Sequence, residues 1–207
     1  MSFHIKQDVE LAPYTSFGVG GMAENFALVH NADELTEALQ CTLSDTQLWT
    51  IGYGSNCLIS DKGLPGMTIC IRGGEISVDP TKAQIIADAG AWWDDVVESS
   101  IQHGLWGLEL MSEIPGSVGA SVFINITAYG QSVGKRVLWI DVWNRESSRV
   151  ERLKQEDLQW GYKDSLFQHD DGKKYVILKA ALQLSDRKTE DLTYQKALDV
   201  AEELDLD

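Results

Sequence analysis

Apolar positions in the first third of the chain follow two periods, one typical of strands and one typical of a helix. A helical stripe runs from Leu35 to Leu39, and Asn31 stands before it as an N-cap with Glu34 three residues later. Short apolar runs predict β-strands over residues 25–29, 48–51 and 67–71. The order strand, helix, strand, loop, strand indicates a small α/β layer that follows a short polar lead.

Beyond a boundary at Gly73-Gly74, the pattern predicts a second unit. A hairpin around Asp79-Pro80 and an antiparallel pair across the polar turn at residues 144–148 supply four of its strands. The predicted strands cover residues 75–78, 84–87, 137–143, 150–153 and 175–184. Residues 91–103 predict an amphipathic helix whose buried face includes Trp93 and Ile101.

The pattern ends in a helix over residues 192–204, whose apolar side has little left to pack against. Its stripe consists of Ala197, Leu198, Val200, Ala201 and Leu204. An exposed stripe of this kind indicates either self-association or a chain that stops before its last domain. We therefore divide the chain into residues 1–72, residues 73–187, and a terminal loop and helix at residues 188–207.

Composition excludes several classes of partner. The 207 residues are 43% hydrophobic and 24% charged, which is ordinary for a globular protein. A net charge of -15 argues against nucleic acid and anionic membranes, because phosphate binding depends on Lys and Arg clusters. We find no apolar run of membrane-spanning length and no signal-peptide core, so a cytoplasmic location is expected.

Cysteine and histidine give no pattern for a metal site. Cys41, Cys57 and Cys70 are odd in number and lack C-x-x-C spacing, so structural zinc and a disulfide framework are not predicted. Three buried or half-buried thiols are expected instead. The four histidines are scattered, and His103 is expected to end its helix.

The stretch from Gly104 to Gly130 is apolar, rich in glycine and almost free of charge. Because glycine costs conformational entropy on folding, this density predicts a backbone shaped to lie against a flat or anionic ligand. Residues 114–119 are interpreted as a nest of backbone N–H groups that leads into a short helix over residues 120–124. Gly116 and Gly119 are expected to provide clearance and N–H donors, and a packed loop is the alternative.

Gly52-Tyr53-Gly54-Ser55-Asn56 follows a predicted strand and is a second candidate nest. Successive N–H groups in such a turn hold a pyrophosphate without positive side chains. A tight turn without a ligand is the alternative, and the segment is not a dinucleotide fingerprint because no G-x-G-x-x-G opens a helix. Two such segments in one acidic chain favour a ligand.

Tyr162 and Lys163 place a phenol beside an ammonium group in the segment WGYKDS. A tyrosine hydroxyl donates to an oxyanion and a lysine stabilises developing negative charge, although both residue types are common on surfaces. The tryptophans are interpreted as core residues rather than as a stack around a cofactor.

These segments together resemble the UDP-N-acetylenolpyruvoylglucosamine reductase family. The motifs occur in order over nearly the whole chain: YTSFGVGG at 14–21, GYGSN from 52, AGAWW at 89–93, GLE at 107–109, IPGSVG at 114–119, AYG at 128–130, GYKDSLF at 161–167 and LTY at 192–194. The resemblance implies a two-subdomain α+β FAD-binding module of the vanillyl-alcohol-oxidase type. It also implies hydride transfer from NADPH through the flavin to the enol ether of a nucleotide-sugar substrate.

The resemblance assigns roles to individual residues. Tyr162, Lys163 and Tyr194 match catalytic positions of the family, and Tyr194 matches the tyrosine that closes over substrate in one subtype. The matched cofactor-binding positions are Gly52, Tyr53, Gly54, Ser55, Asn56, Ile114, Pro115, Gly116, Ser117, Gly119, Asn125, Ala128, Tyr129 and Gly130.

The sequence departs from the family pattern at several points. Lys163 replaces an arginine and loses its bidentate fork, and Thr127 replaces a glycine and adds a side chain where the isoalloxazine is expected. Ile124 stands where a glutamine is common. The "GS-x-FKNP" motif of the substrate domain does not occur, so we expect that domain to be missing and the chain not to complete turnover alone. A non-catalytic FAD-binding relative and, less favoured, a flavin oxidase acting on another substrate are the alternatives.

Overall fold

A computed structural model describes residues 3–188 and 194–204, which form two β-sheets with helices packed around them. The strands are β1 Ile5–Glu10, β2 Met22–Val29, β3 Leu48–Ile51, β4 Leu64–Ile71, β5 Ile76–Asp79, β6 Gln84–Asp88, β7 Thr127–Ala128, β8 Gln131–Ser132, β9 Val137–Asn144, β10 Arg149–Lys154 and β11 Tyr175–Gln183. The helices are α1 Ala32–Gln40, α2 Trp93–Gln102, α3 Val118–Phe123 and α4 Gln195–Glu203. Single 3-10 turns cover Ala12–Tyr14, Glu109–Met111, Val133–Lys135, Gln155–Asp157, Leu166–Gln168 and Asp170–Gly172.

The first sheet has the order β1-β2-β4-β3. Strand β4 runs parallel to both of its neighbours, as an α/β layer requires, and β1 is antiparallel to β2. The polar lead was therefore interpreted wrongly, because β1 is an edge strand. Its side chains are exposed except for half-buried Val9, so it shows no alternation that would reveal a strand.

The second sheet has the order β10-β9-β11-β6-β5 and is antiparallel throughout. Its predicted strands are all present, with ends shifted by a residue or so. Helix α2 covers this sheet and buries Trp93, Val96 and Val97. The prediction for Ile101 was wrong, because its side chain is 41% exposed at the end of the helix.

Helix α1 joins the two sheets. Its N-cap forms as predicted, with Asn31 Oδ1 accepting from the N–H of Glu34 at 2.8 Å. The apolar side of the helix, including Leu35, packs in one cluster with Ile69 of the first sheet and Leu178 of the second. The two sheets therefore share a core rather than fold as independent units.

Asp88 connects the same parts through polar contacts. Its side chain is 4% exposed, and its Oδ1 lies 3.1 Å from Nζ of Lys179 in β11. Its Oδ2 accepts from the N–H of Ala32 at the start of α1 and from the N–H of Glu75. The buried carboxylate is thus compensated by β11 and by the start of α1, which ties this helix to the second sheet next to Ala89.

The last helix is shorter than predicted and its apolar side is exposed. Leu192 and Thr193 lie outside the described residues, and α4 begins at Gln195. Leu198, Val200 and Leu204 are 37%, 50% and 60% exposed, which agrees with the expectation that this apolar stripe has little to pack against. In the described ranges, the helices are too short or too polar to cross a bilayer.

Candidate functional site

A cavity of about 460 Å³ opens between the two sheets. We call it the central cavity. It is lined by Thr50, Ile51, Gly52, Tyr53, Gly54, Ser55, Asn56, Cys57, Ile71, Ala89, Ile114, Pro115, Gly116, Ser117, Gly119, Ala120, Ser121, Phe123, Ile124, Ile126, Phe167, Tyr175, Val176 and Ile177. The two segments predicted as nests therefore meet on one cavity, although they are some 60 positions apart in the sequence.

Charged side chains are absent from the lining. Among the described residues, the cavity wall contains no Asp, Glu, Lys, Arg or His. Large apolar groups such as Phe123, Ile126 and Ile177 cover much of it, and small residues cover the rest. An apolar ring system fits such a wall, and an anionic group must be held there by backbone N–H groups and hydroxyls.

Residues 52–57, which we call the nest loop, leave a row of N–H groups without partners. Within the described chain, the N–H groups from Tyr53 to Cys57 donate no hydrogen bond to the protein. Gly54 lies at φ +70° and is buried, so the chain turns left-handed in the middle of the loop. A Cβ at this position would lie 2.1 Å from the carbonyl oxygen of Tyr14, which only glycine avoids.

Residues 114–119, which we call the second loop, are held against the nest loop by a side chain. Ser55 Oγ donates to the carbonyl oxygen of Pro115 at 3.1 Å. The N–H groups of Gly116 and Ser117 have no acceptor in the described part of the protein. Ser117 Oγ caps α3 by accepting from the N–H of Ala120 at 3.3 Å. Residues of both loops thus line the same cavity and have N–H groups without an acceptor in the described chain.

Gly119 differs from its predicted role. Its N–H donates to the carbonyl oxygen of Ala89 at 2.8 Å, so it is not available to a ligand. A Cβ on Gly119 would lie 3.0 Å from Cβ of Ala89, and this close packing explains the glycine. Helix α3 also begins at Val118, two residues earlier than predicted. Gly119 lines the cavity, but the prediction that its N–H donates to a ligand was wrong.

Asn125 supports the loops rather than the cavity. Its Nδ2 donates to the carbonyl oxygen of Gly161 at 2.7 Å, and its Oδ1 accepts from Ser132 Oγ and from the N–H of Gly134, both at 2.8 Å. The residue is 4% exposed and lies at φ +47°. Because these bonds use its polar atoms, we assign it a positioning role. Ala128, Tyr129 and Gly130 likewise do not line the cavity.

Thr127 also lies outside the cavity lining. Its Oγ1 donates to the carbonyl oxygen of Asn125 at 3.0 Å, two residues back along its own chain. The hydroxyl is therefore bonded within the turn that joins α3 to β7. The structure does not place this side chain among the residues that form the cavity wall.

Tyr162 and Lys163 occupy the tip of a tight turn. Gly161 and Asp164 close it with backbone hydrogen bonds in both directions, and Lys163 takes φ +51° at the second central position. Tyr162 is 80% exposed. Asp164 accepts from His169 at 2.9 Å at the base of the turn. The turn therefore presents both predicted side chains to solvent and does not line the cavity.

The turn is tied to the cavity by its next residues. Ser165 is fully buried and its Oγ donates to the carbonyl oxygen of Phe123, while Phe167 lines the cavity. Tyr194 lies on another element, with its ring in edge contact with Tyr129 at 5.1 Å between centroids. The predicted catalytic residues Tyr162, Lys163 and Tyr194 thus do not line the cavity.

Several lining residues were not identified from the sequence. Cys57 follows the predicted nest directly, and Ser121, Phe123 and Ile126 lie inside the glycine-rich stretch. Their position in the sequence therefore already indicated that they lie near the ligand-binding loops. Tyr175, Val176 and Ile177 come from the start of β11. Their pattern is that of any core strand, and only the pairing of the sheet brings them to the cavity.

The cysteines differ in exposure. Cys41 is exposed, which corrects the expectation of buried or half-buried thiols, while Cys57 is half-buried and Cys70 is buried. Burial raises the pKa of the Cys57 thiol. Burial raises the pKa of Cys70 to about 11, although the nearby Arg72 guanidinium lowers it in part.

Comparison with known proteins assigns the chain to a family. Residues 23–153 match a family model described as FAD binding domain. UDP-N-acetylenolpyruvoylglucosamine reductase of Thermobifida fusca is 33% identical over 192 residues, which cover 91% of this chain and 53% of that protein. The reductase of Pseudomonas syringae pv. tomato is 35% identical over 210 residues, and this match covers 100% of this chain and 62% of that protein. The chain therefore spans between about half and two thirds of the length of these relatives.

Solved structures agree on the fold. The crystal structure of UDP-N-acetylenolpyruvylglucosamine reductase from Thermus caldophilus aligns with a TM-score of 0.73 and 26% identity, over 97% of this chain and 70% of that one. Alkyldihydroxyacetonephosphate synthase aligns with a TM-score of 0.61 at 13% identity, over 87% and 37%, which is a likeness of fold alone. The predicted α+β FAD-binding module and its resemblance to this reductase family are confirmed.

Proposed function

The chain belongs to the FAD binding domain family, and from this premise we propose that it holds FAD in the central cavity as part of a UDP-N-acetylenolpyruvoylglucosamine reductase. The observation that carries the proposal is that two glycine loops line one apolar cavity and that several of their N–H groups have no acceptor in the described chain. Such an arrangement suits a ligand that combines an anionic diphosphate with a flat ring system.

The residues present fit FAD. The nest loop and the second loop would hold the diphosphate through N–H groups at residues 53–57, 116 and 117. The apolar lining, including Phe123 and Ile177, would hold the isoalloxazine and exclude water. In support of this assignment, residues 1–72 contribute the first loop and residues 73–187 the second, as expected for two subdomains that enclose a ligand.

Bound FAD would supply hydride transfer from NADPH to the enolpyruvyl group of the nucleotide sugar, and addition of one proton would complete the reduction to UDP-N-acetylmuramate for peptidoglycan synthesis. The side chains proposed to contact the substrate are Tyr162, Lys163 and Tyr194. The Tyr162 hydroxyl would donate to a developing oxyanion, and the Lys163 ammonium would pair with negative charge on the substrate. Their exposure is consistent with a substrate that arrives from solvent.

Titration of the purified, flavin-free chain with FAD tests the proposal. We expect saturable, equimolar binding, seen as a change in flavin fluorescence, followed by loss of the oxidised flavin absorbance when NADPH is added without oxygen. A chain that stays colourless after reconstitution and shows no change in flavin fluorescence would refute the proposal. FAD binding without reduction by NADPH would instead favour the non-catalytic relative.

The cysteines give an independent test of where the ligand lies. We expect iodoacetamide at pH 8 to modify Cys41 quickly, Cys57 slowly and Cys70 hardly at all, because the raised pKa values leave less thiolate at half-buried Cys57 and buried Cys70. FAD is expected to slow the modification of Cys57 by about tenfold or more and to leave Cys41 unchanged, since only Cys57 lines the cavity. Mass spectrometry of the labelled peptides measures each rate. Equal rates at Cys57 with and without bound FAD would place the ligand elsewhere.

A further inference from the structure

Arg72 lies directly behind the nest loop without lining the central cavity. Its Nε donates to the carbonyl oxygen of Gly52 at 3.4 Å, and its Nη2 donates to the carbonyl oxygen of Tyr14 at 3.1 Å. Its Cζ also lies 5.2 Å from the ring centroid of Tyr14 and 5.4 Å from that of Tyr53. The guanidinium therefore contacts the nest loop and the segment on which Gly54 packs.

These contacts set the direction of the N–H groups in the nest loop. In a trans peptide, the carbonyl group and the following N–H point in opposite directions. Arg72 and the thiol of Cys70 both donate to the Gly52 oxygen, so the N–H of Tyr53 points away from them. The Gly54 oxygen accepts from the N–H of Ser16 at 3.1 Å, which directs the N–H of Ser55 away from that segment in the same manner.

Arg72 also supplies positive charge that the cavity wall lacks. Among the residues that the structure describes, no charged side chain lines the cavity, and the whole chain carries a net charge of -15. A guanidinium is always protonated, and a half-buried one is screened by salt less than an exposed one. Placed one layer behind the nest, it raises the electrostatic potential at the N–H groups and polarises the Gly52 peptide.

We propose that Arg72 is a positioning residue that orients the nest loop and provides the positive field with which the nest binds the diphosphate of FAD. The inference rests on the proposed function and deepens it. It makes Arg72, a side chain outside the cavity lining, responsible for the preference for a flavin that carries a diphosphate over the flavin ring system alone. Arg72 acts through the backbone of the nest loop and takes no part in hydride transfer.

The test compares two flavins on three variants. FAD carries the diphosphate, whereas riboflavin has the same ring system and no phosphate. We expect Arg72→Met to weaken FAD binding by about tenfold to a hundredfold, as the loss of charge-assisted hydrogen bonds does, and to change riboflavin binding by less than about twofold. Arg72→Lys keeps the charge without the fork and is expected to lie between wild type and Arg72→Met.

Arg152→Met is the matched control. Arg152 also stacks on an aromatic ring, with Cζ 3.5 Å from the centroid of Trp139, and pairs with Asp141. Like Arg72 it does not line the cavity, but it lies on β10 and its contacts are with Trp139 and Asp141 rather than with the nest loop. This variant is expected to bind both flavins like the wild type. Melting temperatures of the flavin-free variants show whether each one is folded.

The outcomes distinguish a failure of the proposed FAD site from a failure of the role of Arg72. Wild type that fails to bind FAD overturns the proposed function and this inference with it. If wild type binds FAD and folded Arg72→Met binds it equally well, only the role of Arg72 is overturned. The role of Arg72 is also overturned if Arg72→Met loses affinity for FAD and riboflavin to the same extent. The same holds if this variant loses both its FAD affinity and its melting transition, because the side chain would then support the fold rather than the nest loop. Rising salt is expected to weaken FAD binding more in wild type than in Arg72→Met.

Discussion

Replacement of Gly54 by alanine is expected to reduce FAD affinity by at least about a hundredfold, because it displaces several donors of the nest loop together. The new Cβ would lie 2.1 Å from the carbonyl oxygen of Tyr14 and 2.8 Å from Cα of Thr15, both of which are backbone atoms. The loop must therefore move as a whole. The left-handed φ of +70° adds about 1 kcal/mol of strain for a residue with a side chain. FAD titration with flavin fluorescence measures the loss.

Gly18→Ala separates the strain from the clash. Gly18 has a similar φ of +65°, but a Cβ there would meet no atom within 4 Å. This variant is expected to lose about 1 kcal/mol of unfolding free energy and to bind FAD with the affinity of the wild type. If Gly54→Ala bound FAD as tightly as Gly18→Ala does, the geometry of the nest loop would not matter for binding.

Replacement of Asn125 by alanine is expected to lower the free energy of unfolding by about 3–5 kcal/mol. The substitution leaves the buried N–H of Gly134 and the hydroxyl of Ser132 without their acceptor. It also removes one of the two hydrogen bonds to the carbonyl oxygen of Gly161, and alanine at φ +47° is strained. It also releases the base of the turn that carries Lys163. We therefore expect faster tryptic cleavage after Lys163, and urea denaturation gives the change in stability.

Asn144→Ala is the control for this prediction. Asn144 is 7% exposed, and its side chain also makes three hydrogen bonds, to Glu151, Glu146 and Ser147, but in the β9–β10 turn. It is expected to destabilise the protein without accelerating cleavage after Lys163. Equal cleavage rates in the two variants would contradict the assigned role of Asn125, because that role requires a local effect on the turn.

Much of the architecture was predictable because it follows from local patterns. The strands of both sheets and the Asn31 cap arise from periodicity and from a side chain that bonds three residues ahead. Strand β1 was not predictable in this way, since its exposed edge carries no alternation and its pairing with β2 alone defines it. The exposed stripe of α4 was predictable from its position after the other elements, and Leu198 and Val200 are exposed, but a stripe shows only which face is apolar and not what covers it.

The sequence by itself determined the family, the two-part fold and the two glycine loops that line the central cavity. Only the tertiary structure decided which groups of those loops are available. It showed that Ala89 uses the N–H of Gly119, that Asn125 bonds to Gly161, and that Arg72 stands behind Gly52. The physical reason is that a hydrogen bond satisfies its donor regardless of sequence separation. A glycine motif therefore predicts a nest, but long-range pairing determines which N–H groups remain free to bind.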